Sequence, residues 1–159
     1  MSESKNKHIV VAPKEFSNCS GCGSCEMLCS LVHEGFVSPS CHRIYVEFAP
    51  GDSLMHTIHT CQQCEDHPCY NACPKKDKAM CIDENGVIYV NAEDCVGCGL
   101  CAKACPQSPS MINIVKDPAL GKRRAIKCDL CRTRPEGPAC VQYCNAMCLA
   151  VKGEEPWNK

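Results

Sequence analysis

Apolar positions in this chain come in short runs separated by turn residues. Ile9-Val10-Val11 reads as a brief strand. Arg43-Ile44-Tyr45-Val46-Glu47-Phe48 alternates and is rich in β-formers, which predicts a longer strand. Ala49-Pro50-Gly51-Asp52-Ser53 carries turn chemistry, and Leu54–Thr60 reads as the returning strand of a hairpin. Asn85-Gly86 predicts a turn ahead of the short strand Val87–Val90. Ser110–Lys116 and Lys122–Lys127 predict a second hairpin turning over Asp117–Gly121. Glu26-Met27-Leu28 begins a helical turn that carries Cys29 inward. The lead-in, 1–18, and the tail, Lys152–Lys159, are short and mostly polar.

These elements are too small to hold themselves together. The apolar fraction is 45%, but that includes 19 cysteines among 159 residues. Aromatic residues are only 5%, so the bulky material for a core is scarce. The cysteines themselves supply the missing interior. They fall in tight clusters and their number is odd, which argues against a disulfide scaffold. Metal binding and folding are therefore expected to be coupled.

Four runs carry sixteen of the cysteines. The clearest is CVGCGLCAKACP, with Cys95, Cys98, Cys101 and Cys105 in the order C-x2-C-x2-C-x3-C-P. This is the bacterial ferredoxin spacing for a cubane [4Fe–4S] cluster. Three thiolates wrap one cubane and the fourth ligates the other cluster of a pair, so each run demands a partner. CSGCGSCEMLC repeats the spacing at Cys19, Cys22, Cys25 and Cys29. Its Gly21 and Gly23 suit a segment wrapping a cluster, which needs unusual dihedrals. CQQCEDHPCYNACP holds Cys61, Cys64, Cys69 and Cys73, with the second gap widened to take in His67-Pro68. CDLCRTRPEGPACVQYC holds Cys128, Cys131, Cys140 and Cys144, with the second gap stretched further. The chain is thus a fourfold internal repeat of cysteine motifs.

The rival metal is zinc, which uses paired cysteines in a tetrahedral site. Three closely spaced cysteines in the first and third runs are superfluous for that, while the fourth run alone passes for a zinc ribbon. Cys41, Cys81 and Cys148 lie outside the scheme and read as buried free thiols. Cys148 repeats the x3 step after Cys144, which leaves a shift of register open. His67 reads as a loop-shaping residue. His8, His33, His42, His56 and His59 show no i, i+4 metal pairing.

Charge changes the picture of partners. The formal net charge is −1, but cluster-bound cysteines are thiolates, and four cubanes would take the loaded protein to roughly −9. A nucleic-acid partner is not expected. Lys75, Lys76 and Lys78 form a basic patch after the second run. Lys122, Arg123, Arg124, Lys127, Arg132 and Arg134 surround the fourth. They read equally as a solvated face or as cations that raise a cluster's potential. No phosphate loop, dinucleotide fingerprint or nucleophilic triad appears, so catalysis on an organic substrate is not expected. No run approaches the roughly 18 apolar residues that span a membrane. The polar start, MSESKNKHIVVAPKE, carries no apolar signal segment, and a cytoplasmic location is expected.

With its four runs laid out, the chain resembles the four-cluster polyferredoxin family. These are the small electron-transfer subunits of molybdenum and tungsten enzymes, hydrogenases and carbon monoxide dehydrogenases. The resemblance covers roughly residues 9–152. CSGCGSCEMLCSLVHEGFVSPSCHRIYV is especially similar to short cytoplasmic members that accompany aldehyde:ferredoxin-oxidoreductase-type tungsten subunits, such as the electron-transfer subunit of class II benzoyl-CoA reductase. Proline follows the fourth cysteine at Cys73 and Cys105, as is common in the family, and is missing after Cys29 and Cys144.

The resemblance implies an α+β, tandem bacterial-ferredoxin-like fold with pseudo-twofold symmetry, short helices, β-hairpins and four cubane clusters. It implies one interleaved domain over 1–159, with an outer half (9–60 plus 107–152) and an inner half (61–106). Carried over by motif, Cys19, Cys22, Cys25 and Cys144 would hold cluster 1. Cys128, Cys131, Cys140 and Cys29 would hold cluster 2. Cys61, Cys64, Cys69 and Cys105 would hold cluster 3, and Cys95, Cys98, Cys101 and Cys73 cluster 4. The implied function is that of a subunit relaying single electrons between a larger tungsten- or molybdenum-pterin subunit and a donor or acceptor, such as a further electron-transfer subunit or a ferredoxin. The alternatives are a free-standing polyferredoxin shuttle, a redox sensor and a zinc-bearing scaffold.

Overall fold

The computed structural model describes residues 6–17, 19–48 and 56–158. Its elements are short and sit between the cysteine runs. In chain order they are β1 (Ile9–Val11), α1 (Ser24–Glu34), β2 (Tyr45–Phe48), β3 (His56–His59), α2 (Pro68–Asn71), β4 (Met80–Ile82), β5 (Ile88–Val90), α3 (Leu100–Lys103), β6 (Ile112–Asp117), β7 (Lys122–Lys127), α4 (Ala139–Gln142) and β8 (Leu149–Val151). A 3-10 turn, Pro156–Asn158, follows.

The strands form four antiparallel pairs: β1 with β8, β2 with β3, β4 with β5, and β6 with β7. Both expected hairpins are present. Tyr45 faces His59 in the first and Ile112 faces Lys127 in the second. The first is shorter than the alternation predicts, and the proposed turn 49–53, with 54–55, lies outside the described residues. In the second, Asp117 Oδ1 accepts from the backbone N–H of Ala119 and Leu120 at 2.9 and 3.0 Å, which fixes the turn.

Three features exceed the expectation. α1 runs eleven residues, not one turn. It ends at Gly35, whose φ of 78° lets its N–H close on the Leu31 carbonyl. β4 and β8 have no counterpart in the sequence reading. Asn85-Gly86 does turn the chain, and its hidden partner strand is Met80–Ile82, with Ile82 facing Ile88. β8 pairs with β1 and so joins the two ends of the chain, Ile9 facing Val151.

Two apolar clusters result. One gathers Ile9, Ile44, Leu149 and Val151 around Cys29, Cys140 and Cys148. The other gathers Met80, Ile88, Ile112 and Ala125 around Cys69, Cys95 and Cys101. Cysteines stand in both where bulkier side chains would stand in a larger protein. Among the described residues no helix is long and apolar enough to cross a membrane.

Candidate metal centres

One backbone feature recurs in all four cysteine runs. The second residue of the first C-x2-C gap is left-handed each time: Gly21 at φ 68°, Gln63 at 45°, Gly97 at 64° and Leu130 at 58°. Two cysteines flanking such a residue turn their backbone around a common point. Glycine takes this conformation freely at position 97; Gln63 and Leu130 take it against their own Cβ. Gln63 is held there by its side chain. Its Nε2 donates to the Cys128 carbonyl at 2.8 Å, and its Oε1 accepts from the Ile88 N–H at 3.0 Å. The fourth run, despite its stretched second gap, thus shares this left-handed residue with the other three, but its Cys131 is left-handed as well, at φ 51°, where Cys22, Cys64 and Cys98 are not.

A short helix follows in each run and carries a cysteine inward. α1, α2 and α3 each start from a left-handed residue, Gly23, His67 and Gly99, whereas α4 starts from Pro138 in an extended conformation. His67 therefore shapes its loop, as the sequence implies.

Cavities gather the thiols from different runs. Cys73 joins Cys95, Cys98 and Cys101 around one cavity. Cys105 joins Cys61, Cys64 and Cys69 around a second. Cys29 joins Cys128, Cys131 and Cys140 around a third, and Cys61 reaches the same wall. Cys19, Cys25 and Cys144 pack together against the first apolar cluster. Cys22 and Cys98 are exposed, and Cys22 Sγ lies 3.4 Å from Ser24 Oγ.

Burial governs the thiols' acidity. It pushes Cys25 up to about 12, with the Glu26 carboxylate, Cys144 and Cys19 adding to the rise. It pushes Cys29 and Cys101 up to about 11, and Cys128 and Cys140 well above the ordinary thiol range. Cys69 is raised by burial and held back by the charge of Lys127. Without metal these thiols are protonated at neutral pH, and a bound metal must displace the protons.

Backbone donors from segments distant in sequence point at the sulfurs of Cys29 and Cys95. The Arg43 N–H donates to Cys29 Sγ and the Ala125 N–H to Cys95 Sγ, both at 3.3 Å. His33, which shows no ligand spacing in sequence, lies with Nε2 3.6 Å from Cys131 Sγ and 3.4 Å from Asp129 Oδ1. Tertiary contact alone brings it there; its place on the last turn of α1 is the only trace in sequence. Of the three cysteines outside the runs, Cys41 and Cys148 are buried as expected. Cys81 is not: it is half-buried, its thiol donating to the Lys78 carbonyl at 3.3 Å. The β4–β5 pair leaves that side of Cys81 facing outward.

Residues 88–108 match the family model described as a 4Fe-4S binding domain. The polyferredoxin-like subunit of an aliphatic sulfonate oxidoreductase from Pyrococcus furiosus is 43% identical over 139 residues, covering 86% of this chain and 70% of that protein. The electron transport protein HydN of Escherichia coli is 33% identical over 153 residues, covering 87% of this chain and 83% of that protein. This protein belongs to the ferredoxin-type iron–sulfur electron-transport proteins. The B subunit of polysulfide reductase from Wolinella succinogenes is also similar, at 33% identity over 138 residues, 79% of this chain and 66% of that one.

In an iron–sulfur electron-transport protein the thiol-lined cavities have a plain chemical meaning. A donor set of sulfur alone suits iron–sulfur clusters and rejects hard cations. The chain is an electron carrier, not a catalyst. Its basic residues near the fourth run are for the most part tied to the protein. Arg132 stacks on Tyr89 at 3.9 Å and faces Asp83 at 3.5 Å. Arg134 bonds Gln142 and the Gly137 carbonyl.

Proposed function

We propose that this protein binds four [4Fe–4S] clusters and passes single electrons along them as a subunit of a larger oxidoreductase. The proposed ligand sets are Cys19, Cys22, Cys25 and Cys144; Cys128, Cys131, Cys140 and Cys29; Cys61, Cys64, Cys69 and Cys105; and Cys95, Cys98, Cys101 and Cys73. The observation that carries this reading is the composition of the three cavities, each walled by the first three thiols of one run and the last thiol of another. The left-handed residue common to all four runs supports a cubane at the fourth as well.

Bound cubanes supply one-electron chemistry, with potentials set by hydrogen bonds, charge and exposure. The residues of this chain do the rest. The apolar clusters keep water from the buried thiols among these, the Arg43 N–H favours thiolate at Cys29, the Ala125 N–H donates to Cys95 Sγ, and the exposed Cys22 and Cys98 bring two sites close to the surface. We infer two interleaved halves, 9–60 with 107–152 around 61–106, in a tandem ferredoxin-like arrangement. The partner is a larger catalytic subunit, as the names of the sulfonate oxidoreductase and polysulfide reductase relatives encourage, and a tungsten- or molybdenum-pterin enzyme suits the family resemblance.

Anaerobic native purification tests this. Iron and acid-labile sulfide for four cubanes per chain, reducible signals in electron paramagnetic resonance, and a co-purifying metalloenzyme are expected. A colourless zinc protein sinks the cluster reading. A loaded protein that purifies alone sinks the subunit reading in favour of a free shuttle.

A further inference from the structure

Most cations near the centre of this molecule have an anion of the protein beside them. Arg43 and Arg124 share Glu34, and Arg124 also holds Asp117. Arg132 has Asp83 and Arg134 has Glu136. Arg123 is exposed to water. Lys127 differs from all of these. It is 3% exposed, and among the described residues no carboxylate pairs with it.

Its ammonium donates to the Ile88 carbonyl at 2.7 Å and the Cys128 carbonyl at 2.9 Å. Two carbonyls satisfy two of its three donors and none of its charge. A buried charge without a partner is strongly unfavourable. The hydrogen bonds do not account for the residue as a clamp either. Gln63 Nε2 already donates to the same two carbonyls, at 3.3 and 2.8 Å. A neutral side chain therefore holds that junction without help.

Lys127 also lines the cavity walled by Cys61, Cys64, Cys69 and Cys105. Four thiolates around a cubane leave about two negative charges in that space. The buried cation and the buried anion answer each other's missing partner.

We propose that Lys127 is the counter-ion of the cluster at Cys61, Cys64, Cys69 and Cys105 and holds its reduction potential up. The proposal rests on the ligand assignment above. An electron entering the cluster adds one negative charge, and a fixed cation at its wall stabilises the reduced form more than the oxidised form. Lys127 thereby makes this site a resting place for the electron relative to a site without a buried cation. Because the ammonium is anchored on carbonyls, it keeps its position in both oxidation states.

The test compares wild type with Lys127→Met, Lys127→Gln and Lys127→Arg, each purified anaerobically. Iron and sulfide per chain are measured first, then midpoint potentials by redox titration followed by electron paramagnetic resonance. Fully loaded Met and Gln variants are expected to show one cluster shifted to lower potential, by on the order of tenfold in its reduction equilibrium, about 59 mV for a one-electron couple. The Arg variant is expected to stay near wild type. Unchanged potentials in a loaded Met or Gln variant overturn the proposal.

If the Met variant loses a cluster, the other two decide. Loading rescued by Arg and not by Gln supports a role for charge. Rescue by Gln with an unshifted potential, or loss of the cluster in all three variants, overturns it in favour of shape or hydrogen bonding. A wild-type protein without cubanes fails the ligand assignment itself and is seen before any variant is compared.

Discussion

Glu34 and Arg124 lie 90 residues apart in sequence and meet in an ion pair of 2.5 Å. Glu34 Oε2 takes Arg124 Nη2, while its Oε1 takes Arg43 Nη2 at 2.7 Å. Arg124 turns its Nε to Asp117. One carboxylate at the end of α1 thus ties the first cysteine run to the segment after it and to β7. The Glu34 side chain is 9% exposed, so loss of its charge leaves the buried Arg43 without its carboxylate and Arg124 with Asp117 alone. Glu34→Gln is expected to cost about 3–5 kcal/mol and to lower the thermal midpoint by roughly 6–20 °C. Thermal loss of the cluster absorbance, followed anaerobically, measures it; a midpoint within error of wild type shows that this network does not hold the fold.

Gly97 and Gly121 share a φ of +64° but not their surroundings. A Cβ on Gly97 would stand 2.6 Å from Arg123 Cβ and 2.7 Å from the Arg123 carbonyl atoms, while one on Gly121 meets nothing within 4 Å. Gly121→Ala carries only the left-handed penalty, about 1–2 kcal/mol. Gly97→Ala adds a backbone collision and must push β7 from the Cys95 loop, so a loss of roughly 2–5 kcal/mol is expected. The Ala125 N–H bond to Cys95 Sγ lies in the same contact, and Gly97→Ala is therefore expected to lose iron from that site first. Equal thermal midpoints for the two variants contradict the packing account.

Cys144 and Cys148 sit with their sulfurs 3.5 Å apart, yet they differ in surroundings. Cys148 is 1% exposed and packs in the first apolar cluster beside Leu149. Cys144→Ser is expected to lower iron and sulfide by one cluster per chain. Cys148→Ser is expected to keep all the iron and to lose stability from a buried hydroxyl, about 1–3 kcal/mol. Iron loss from Cys148→Ser with full loading of Cys144→Ser reverses the ligand assignment at this end of the molecule.

The buried thiols make the metal-free protein alkali-sensitive. Cys29 and Cys101 are raised to about 11 and Cys25 to about 12 from an ordinary 9.0. Between those values the unfolded state has released protons that the folded state still holds. The contribution is complete below pH 9 and is lost as pH rises through the folded-state values. Chelation of the iron is expected to remove most of the ordered far-ultraviolet circular dichroism at neutral pH, and any fold that survives is expected to melt progressively above pH 9. The loaded protein, its ligands already thiolates, is expected to change far less over the same range. A metal-free protein with an unchanged denaturation midpoint from pH 8 to about pH 11 contradicts the burial of these thiols.

The local parts of this protein are legible in its sequence. The spacing of Cys95, Cys98, Cys101 and Cys105 states a geometry by itself, because a few covalent bonds determine how closely neighbouring thiols approach. The two hairpins follow from alternation at 45–48 and 112–127 and from the Asp117 turn. The full length of α1 is hidden because its exposed face carries Met27, Leu31 and Val32, which blur an amphipathic stripe. β4 and β8 are hidden because Met80-Cys81-Ile82 and Leu149-Ala150-Val151 carry fewer β-branched and aromatic residues than the equally short Ile9–Val11 and Ile88–Val90, which are read.

Relations between distant residues are decided only by tertiary structure. The sequence alone carries the sulfur chemistry, cysteines in four repeated runs, and with it the family of iron–sulfur electron carriers, since residue type and local spacing need no fold to be read. It does not say that Gln63 and Leu130 copy the left-handed backbone of Gly21 and Gly97, that His33 meets Cys131, or that Lys127 is sealed in with no carboxylate beside it among the described residues. Those facts depend on which surfaces exclude water together. Burial turns a lysine in a basic stretch into an isolated charge, and it arises only when β5, β7 and the loops of two cysteine runs close around it.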